Sequence, residues 1–236
     1  MLEVRNIAFT YDRRPVLRDV SFVVSPGETV SIVGDNAVGK TTLLKVLATL
    51  LTPDAGHIQI DGQDALQRPL AYRRQLGYLP ETPALYDDMT VKDYLTYRAR
   101  LKGEFDKRIR RRVGEAAEMC QVADLLRRPI GRLSCGVRKR VALADALLLR
   151  PRVLLLDDFL AGLDRTLREA AGAILSSVAA FASVIVTGHE LPDLAKWSTR
   201  FLVLRNGVIS AQVPASGVAA DDLVRRVDAA LKGDAP

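Results

Sequence analysis

The sequence predicts an α/β fold: a mostly parallel sheet, an N-terminal antiparallel β lobe and an inserted helical lobe. Three observations predict it. Strand-like and helix-like stretches alternate, the first part is rich in short β patterns, and a long middle stretch turns helical before strands return. At 236 residues, with 48% hydrophobic residues, the chain can bury a full core and is read as one domain, 1–236.

The elements support this in order. Leu2 to Gly62 carries short β patterns broken by turns at Asp12-Arg13-Arg14-Pro15 and Ser25-Pro26-Gly27. Within it, Thr29-Val30-Ser31-Ile32-Val33 reads as a β-branched strand and Thr41 to Ala48 as a helix. His57 to Gly62 alternates polar and apolar residues before a turn, as an antiparallel strand does. From Thr90 to Leu149 the pattern is helical. Strands return at Arg152 to Asp157, Ser183 to Thr187 and Arg200 to Leu204, with Leu167 to Val178 helical between the first two. The core is therefore placed at about 1–82 and 150–212, and the helical lobe at about 83–149. Leu223, Val224, Val227 and Leu231 recur at helical spacing, so the tail, about 219–232, is expected to dock as an amphipathic helix. There is no internal repeat and no low-complexity segment.

The net charge of +6 and a pI near 9.5 suit an anionic ligand, a membrane surface or nucleic acid alike, because net charge governs association and not fold. The basic stretch Lys107-Arg108-Ile109-Arg110-Arg111-Arg112 is read as a solvated helix face. It interleaves no aromatic residues for base stacking, so no nucleic-acid partner is expected. The longest apolar runs, such as Val153 to Leu156 and Phe201 to Leu204, are far too short to cross a bilayer, and Met1 to Arg5 lacks an apolar signal segment. A soluble, cytoplasmic chain is expected. Cys120 and Cys135 offer neither a disulfide framework nor a metal pattern, in agreement with a reducing compartment.

The chemistry concentrates in three segments. Gly34-Asp35-Asn36-Ala37-Val38-Gly39-Lys40-Thr41-Thr42 fits G-x-x-x-x-G-K-[ST] and lies between the predicted strand and helix. In such a loop backbone N–H groups close on phosphate, Lys40 reaches the terminal phosphates, and Thr41 offers its hydroxyl to Mg²⁺. The helix start adds free N–H groups and a positive dipole end. The expected fold is therefore built on the core of a P-loop NTPase. The apolar strand ending in Asp157 supplies the second half, since a carboxylate there can hold Mg²⁺ beside the phosphate loop. Third, Leu133-Ser134-Cys135-Gly136 opens a helix carrying Val137, Val141, Ala144 and Leu148 on one face. Its Ser134 is either a plain N-cap or, with the first amides, an anion contact.

Together these residues resemble the ATP-binding cassette family, the nucleotide-binding subunits of ABC transporters, over nearly the whole chain. The resemblance implies ATP and Mg²⁺ as ligands. Tyr11 takes the position of the aromatic that stacks on adenine, with Val16 beside it. Leu133 to Gly136 resembles the signature L-S-G-G, and Leu160-Ala161-Gly162-Leu163-Asp164 the loop whose aspartate crosses the dimer interface. His189, after the strand Val184 to Thr187, matches the switch histidine that contacts the γ-phosphate. The family arrangement implies a head-to-tail dimer, of identical chains or with another ABC ATPase subunit. ATP would lie between the phosphate loop of one subunit and Ser134 and Gly136 of the other, and closure would be passed to an integral membrane partner.

Three departures qualify that expectation. Asp158 stands where the family usually has the glutamate that polarises the attacking water. Its carboxylate is withdrawn by one methylene, and misplacement of about 1 Å can cost on the order of a hundredfold in rate, so slow hydrolysis is expected. Glu81 stands where a glutamine usually touches Mg²⁺ and links core to helical lobe; it is another hard oxygen ligand but adds negative charge near the triphosphate. Cys135 replaces the first glycine of the signature. Finally, Leu85-Tyr86-Asp87-Asp88-Met89-Thr90-Val91 looks like the stretch that, in bacterial export-type ATPases, helps form the groove for a short cytoplasmic helix of the membrane subunit.

The resulting expectation is a peripheral ATPase subunit on the inner face of the cell membrane, of export type. Lys40, Glu81, Asp158 and His189 are assigned to catalysis, and Thr41, Glu81 and Asp157 to Mg²⁺. Two alternatives share the phosphate motifs: a soluble ABC ATPase of an assembly or repair complex, and a hydrolysis-impaired regulatory subunit.

Overall fold

The computed structural model describes residues 1–233; the last three residues of the expected domain lie outside them. Ten strands and eight α-helices follow in the order β1 (Leu2–Tyr11), β2 (Arg14–Val24), β3 (Thr29–Val33), α1 (Lys40–Leu47), β4 (Ala55–Ile60), β5 (Gln63–Asp64), α2 (Pro69–Arg74), β6 (Leu76–Leu79), α3 (Val91–Leu101), α4 (Asp106–Met119), α5 (Cys135–Leu147), β7 (Val153–Leu156), α6 (Arg165–Ala179), β8 (Ser183–Thr187), α7 (Leu191–Leu194), β9 (Arg200–Arg205), β10 (Val208–Pro214) and α8 (Ala220–Lys232). The strands form two sheets. One is antiparallel, in the order β2-β1-β4-β5; the other runs β10-β9-β3-β8-β7-β6 and is parallel except for β10.

The sequence explains the central strands. Every residue of β3, β7 and β8 is buried, because both faces are covered, and such strands read as continuous apolar or β-branched runs. The alternation of β7 divides its side chains between two cores. Val153 and Leu155 join the antiparallel sheet and α1, while Leu154 and Leu156 face the helical side with α5, α6 and α8. Truncating a buried leucine of this kind to alanine typically costs about 2–5 kcal/mol. The C-terminal helix docks as its spacing predicts, with Leu223 and Val227 buried.

Within the helical lobe one buried carboxylate ties two helices together: Asp145 of α5 pairs with Arg98 of α3 (3.0 Å) and with Lys102 just after it (2.7 Å). Thr90 caps α3 by accepting from the Asp93 amide (3.1 Å). The structure departs from the sequence reading in several details: β2 already starts at Arg14, within the predicted turn, and β5, α2, β6, α7 and β10 are elements the sequence reading does not assign. α2 is held by the Tyr72 hydroxyl donating to the Leu47 carbonyl (2.8 Å), a long-range contact with no local signature.

Candidate active site

β3, β8 and β7 are neighbours in the parallel sheet, and their C-terminal ends deliver the parts of one cleft. β3 runs into the loop Gly34 to Gly39, which turns through two left-handed residues, Ala37 (φ 60°) and Gly39 (φ 110°), before α1 begins. Val16 packs directly on Gly39. A Cβ at Gly34 would stand 2.3 Å from the Leu204 carbonyl oxygen, so the loop can leave the sheet here only as glycine. Lys40 Nζ donates to the carbonyls of Gly34 (2.7 Å) and Asp35 (2.9 Å). Burial lowers the Lys40 pKa, against the opposing charges of Asp158, Asp35 and Asp157.

β7 ends at Asp157, which is 1% exposed. Its Oδ1 accepts hydrogen bonds from Thr41 (3.0 Å) and Thr187 (2.9 Å). Burial raises its pKa in spite of both bonds, and Glu81 pushes the same way. Thr187 Oγ1 also accepts the Asp158 backbone N–H (2.9 Å), so one hydroxyl fixes both aspartates. Asp158 itself has a left-handed backbone (φ 45°), a region aspartate tolerates better than most residues. Its buried Oδ1 has no hydrogen-bond partner, and burial, then the charge of Glu190, raises its pKa.

The cleft has a volume of about 520 Å³ and is lined by Tyr11, Val16, Asn36, Ala37, Gly39, Lys40, Thr41, Thr42, Glu81, Asp157, Asp158, Thr187 and His189. Tyr11 stands at its rim, half exposed and edge-on to Phe9 (centroids 4.7 Å apart). Of the other predicted loop residues, Gly34, Asp35 and Val38 do not line the cleft: Gly34 is buried, Asp35 is exposed and Val38 packs against the core. Ser134, Gly136 and Asp164 lie outside the cleft. Ser134 occupies the N-cap position of α5, and its hydroxyl makes no capping bond. Ser134 and Cys135 are exposed, whereas Gly136 is buried under Leu167. Asp164 caps α6 by accepting from the Leu167 amide (2.9 Å).

Three further residues position this site and were missed from the sequence, besides Thr187. Lys139 of α5 is buried and donates to the carbonyls of Phe159 (3.2 Å) and Ala161, holding the loop after Asp158. Arg168 of α6 donates to the Leu163 carbonyl (2.9 Å) and pairs with Glu190 and Asp193 (3.2 Å each). Glu190 follows His189 directly. Only Thr187 carried a signal, as the polar end of an apolar strand two residues before His189.

The donor set fits Mg²⁺. Thr41 and Asp157 bring a hydroxyl and a carboxylate together at the phosphate loop, and the charge of buried Asp157 is incompletely offset by its two hydrogen bonds. Among the described residues no group of three or more His, Cys, Asp or Glu side chains forms a metal cage. This agrees with the habit of Mg²⁺ of binding through one or two protein oxygens and the phosphates of its nucleotide.

The profile of the ABC transporter family matches residues 17–161, more than half of the chain. The chain belongs to that family. It is 33% identical over 210 residues to the uncharacterized ABC transporter ATP-binding protein YxlF of Bacillus subtilis, covering 89% of this chain and 70% of that one. It is 34% identical over 215 residues to the sulfate/thiosulfate import ATP-binding protein CysA of Pseudomonas aeruginosa, covering 88% and 65%. A solved structure of the ATP-binding subunit of an ABC transporter superposes with a TM-score of 0.84 at 29% identity, over 97% of this chain and 99% of that one. ATP binding and the P-loop cassette fold follow from this membership. Among the described residues no helix is long and apolar enough to cross a membrane.

Proposed function

We propose that this ABC subunit hydrolyses ATP to drive transport through a separate integral membrane subunit. It works as a head-to-tail dimer, with itself or with another ABC ATPase subunit, on the cytoplasmic face of the membrane. The observation that carries the reading is the division of the motifs. Phosphate loop, both aspartates, Glu81 and His189 share one cleft, while Ser134 stands exposed outside it. This division supports a dimer in which Ser134 completes the cleft of a second subunit.

Within that reading Lys40 neutralises the β- and γ-phosphates and the loop amides cradle them. Tyr11 stacks on adenine. Thr41 and Asp157 hold Mg²⁺, with Glu81 as a further oxygen ligand; bound there, the ion spreads the charge developing on the transferred phosphoryl group. Asp158 accepts a proton from, and orients, the attacking water; its raised proton affinity suits a base, and its short reach makes turnover slow. His189 contacts the γ-phosphate. Catalysis then rests on position and charge, as phosphoryl transfer generally does.

The link to a membrane partner is supported by the segment Leu85 to Val91. Its backbone is tied to the residues just before the signature, by the Ile130 amide donating to Met89 O (2.9 Å) and the Gly131 amide to Asp87 O (3.1 Å). Arg138 of α5 adds an ion pair with Asp87 at 2.6 Å. Tyr86 and Tyr97, both exposed and in edge contact, offer aromatic surface beside it. A helix pressed into this surface would bear on Ser134 through a short bonded path. The likeness of this segment to export-type ATPases supports export as the direction.

The test is Mg²⁺-dependent ATP turnover of the purified chain beside Asp158→Asn, with ATP-induced dimerisation followed in the same samples. Turnover abolished by the substitution together with a trapped dimer supports the reading. Dimerisation without wild-type turnover favours the regulatory alternative, and stable association with a soluble complex but not with membranes favours the assembly or repair alternative.

A further inference from the structure

The basic charge of this protein is local. Between Thr90 and Leu149 fifteen Lys and Arg stand against seven Asp and Glu, an excess larger than the +6 of the whole chain, so the remainder is slightly acidic. The structure gathers part of this excess around a groove of about 760 Å³ between α3, α4 and the turn at Ala123–Leu125. Lys92 and Arg100 stand on one wall, on the same face of α3, with Arg110 and Arg127 across from them and Asp124 as the one acid on the rim among the described residues. Among the described residues Lys92, Arg110 and Arg127 enter no ion pair. The floor is apolar, with Ile109 and Val113 buried and Leu126 partly so.

One position on the floor is at odds with the rest of α4. Gly114 lies in mid-helix, where glycine weakens the helix relative to alanine, and a Cβ built there meets nothing within 4 Å. Packing inside the chain therefore does not require glycine. Close approach of another backbone from outside does, because removing the side chain lets a helix settle deeper between α3 and α4.

We infer that this groove is a docking site for an acidic amphipathic helix of a protein partner, separate from the nucleotide cleft and from the Leu85–Val91 surface. Carboxylates on its flanks would meet Lys92, Arg110 and Arg127, and its apolar stripe would cover Ile109, Val113 and Leu126. The concavity fits a helix better than a flat lipid surface. No aromatic residue lines the groove for nucleic-acid bases to stack on.

The test uses the full chain and a labelled synthetic helical peptide, leucine on one face and glutamate on the other, followed by fluorescence anisotropy. A scrambled peptide of the same composition and phosphatidylglycerol vesicles serve as comparison probes. Saturable binding of the helical peptide is expected, weakened at least tenfold by the triple variant Lys92→Glu/Arg110→Glu/Arg127→Glu. Gly114→Leu, which changes no charge and fills the groove, should weaken it to a similar extent. Melting temperature and basal ATP turnover check that both variants fold, and neither variant should lower them. No binding of the helical peptide overturns the proposal. So does equal binding of the scrambled peptide, which reports polyanion attraction. Vesicle binding that is sensitive to the charge reversals but indifferent to Gly114→Leu assigns the patch to lipid and also overturns it.

Discussion

The hydroxyl of Thr187 donates to Asp157 Oδ1 across 2.9 Å of buried space, and the same oxygen accepts the amide of the next residue, Asp158. One side chain at the end of β8 thus sets the position of two carboxylates at the end of β7. Thr187→Val keeps the shape but leaves the Asp158 amide without an acceptor, at a cost of about 1–3 kcal/mol. For a chain of this size each kcal/mol lowers the melting temperature by about 2–4 °C. Calorimetry should show that loss together with at least a tenfold fall in ATP turnover, and Thr187→Ser, which retains both bonds, should restore most of each.

Asp158 gives the sharpest kinetic expectation. Removing a general base typically costs about 10²–10⁴ in rate, so Asp158→Asn should abolish steady-state turnover while ATP still closes the dimer. Asp158→Glu extends the carboxylate and should raise turnover about tenfold or more, given the steep dependence of rate on placement near 1 Å. It should also lower stability slightly, since glutamate is less at ease at φ 45°. A wild-type rate that Asp158→Glu does not improve would remove the argument from reach.

Arg168 tests how the loop after Asp158 is tied to the segment after His189. Among the described residues it makes no hydrogen bond or ion pair to the cleft wall, yet it bonds Leu163 O, Glu190 and Asp193 at once. Arg168→Met should lower kcat several-fold with KM for ATP unchanged, because binding residues stay in place while the segments after Asp158 and His189 lose their common anchor. A raised KM with unaltered kcat would contradict this.

The two cysteines make dimer closure visible without any label being engineered. Cys120 is buried and its thiol pKa is pushed up to about 12 by that burial, so it resists alkylation at neutral pH. Cys135 is exposed beside Ser134. Mass spectrometry should find rapid modification of Cys135 alone. Mg²⁺ and ATP added to Asp158→Asn should slow it at least tenfold; an unchanged rate would argue against a dimer closed over the signature.

Much of the nucleotide cleft was legible because its parts are local. A β-branched strand, a glycine loop and a helix follow one another from Thr29 to Ala48, and an apolar run ends in Asp157. The residues that were not legible act across the fold. Thr187 acquires its role only because β8 lies between β3 and β7, an adjacency that no spacing encodes. Lys139 reads as one cation within Arg138-Lys139-Arg140, and only the approach of the Phe159 and Ala161 carbonyls buries it. Ser134 shows the reverse: its sequence position suits a helix cap, and the structure leaves the hydroxyl uncommitted.

The strand that launches the phosphate loop has no neighbour close to it in the chain: β3 pairs only with β8 and β9, more than 150 residues downstream. On the ribosome α1 emerges with the antiparallel sheet it packs on, but β3 has no strand to pair with until residues 183–205 follow. Chains made at about 5–20 residues per second then spend roughly ten seconds or more with that strand edge open. A settled phosphate loop thus waits for β8, and translation products broken off before it would carry the full glycine-lysine loop on an unpaired strand.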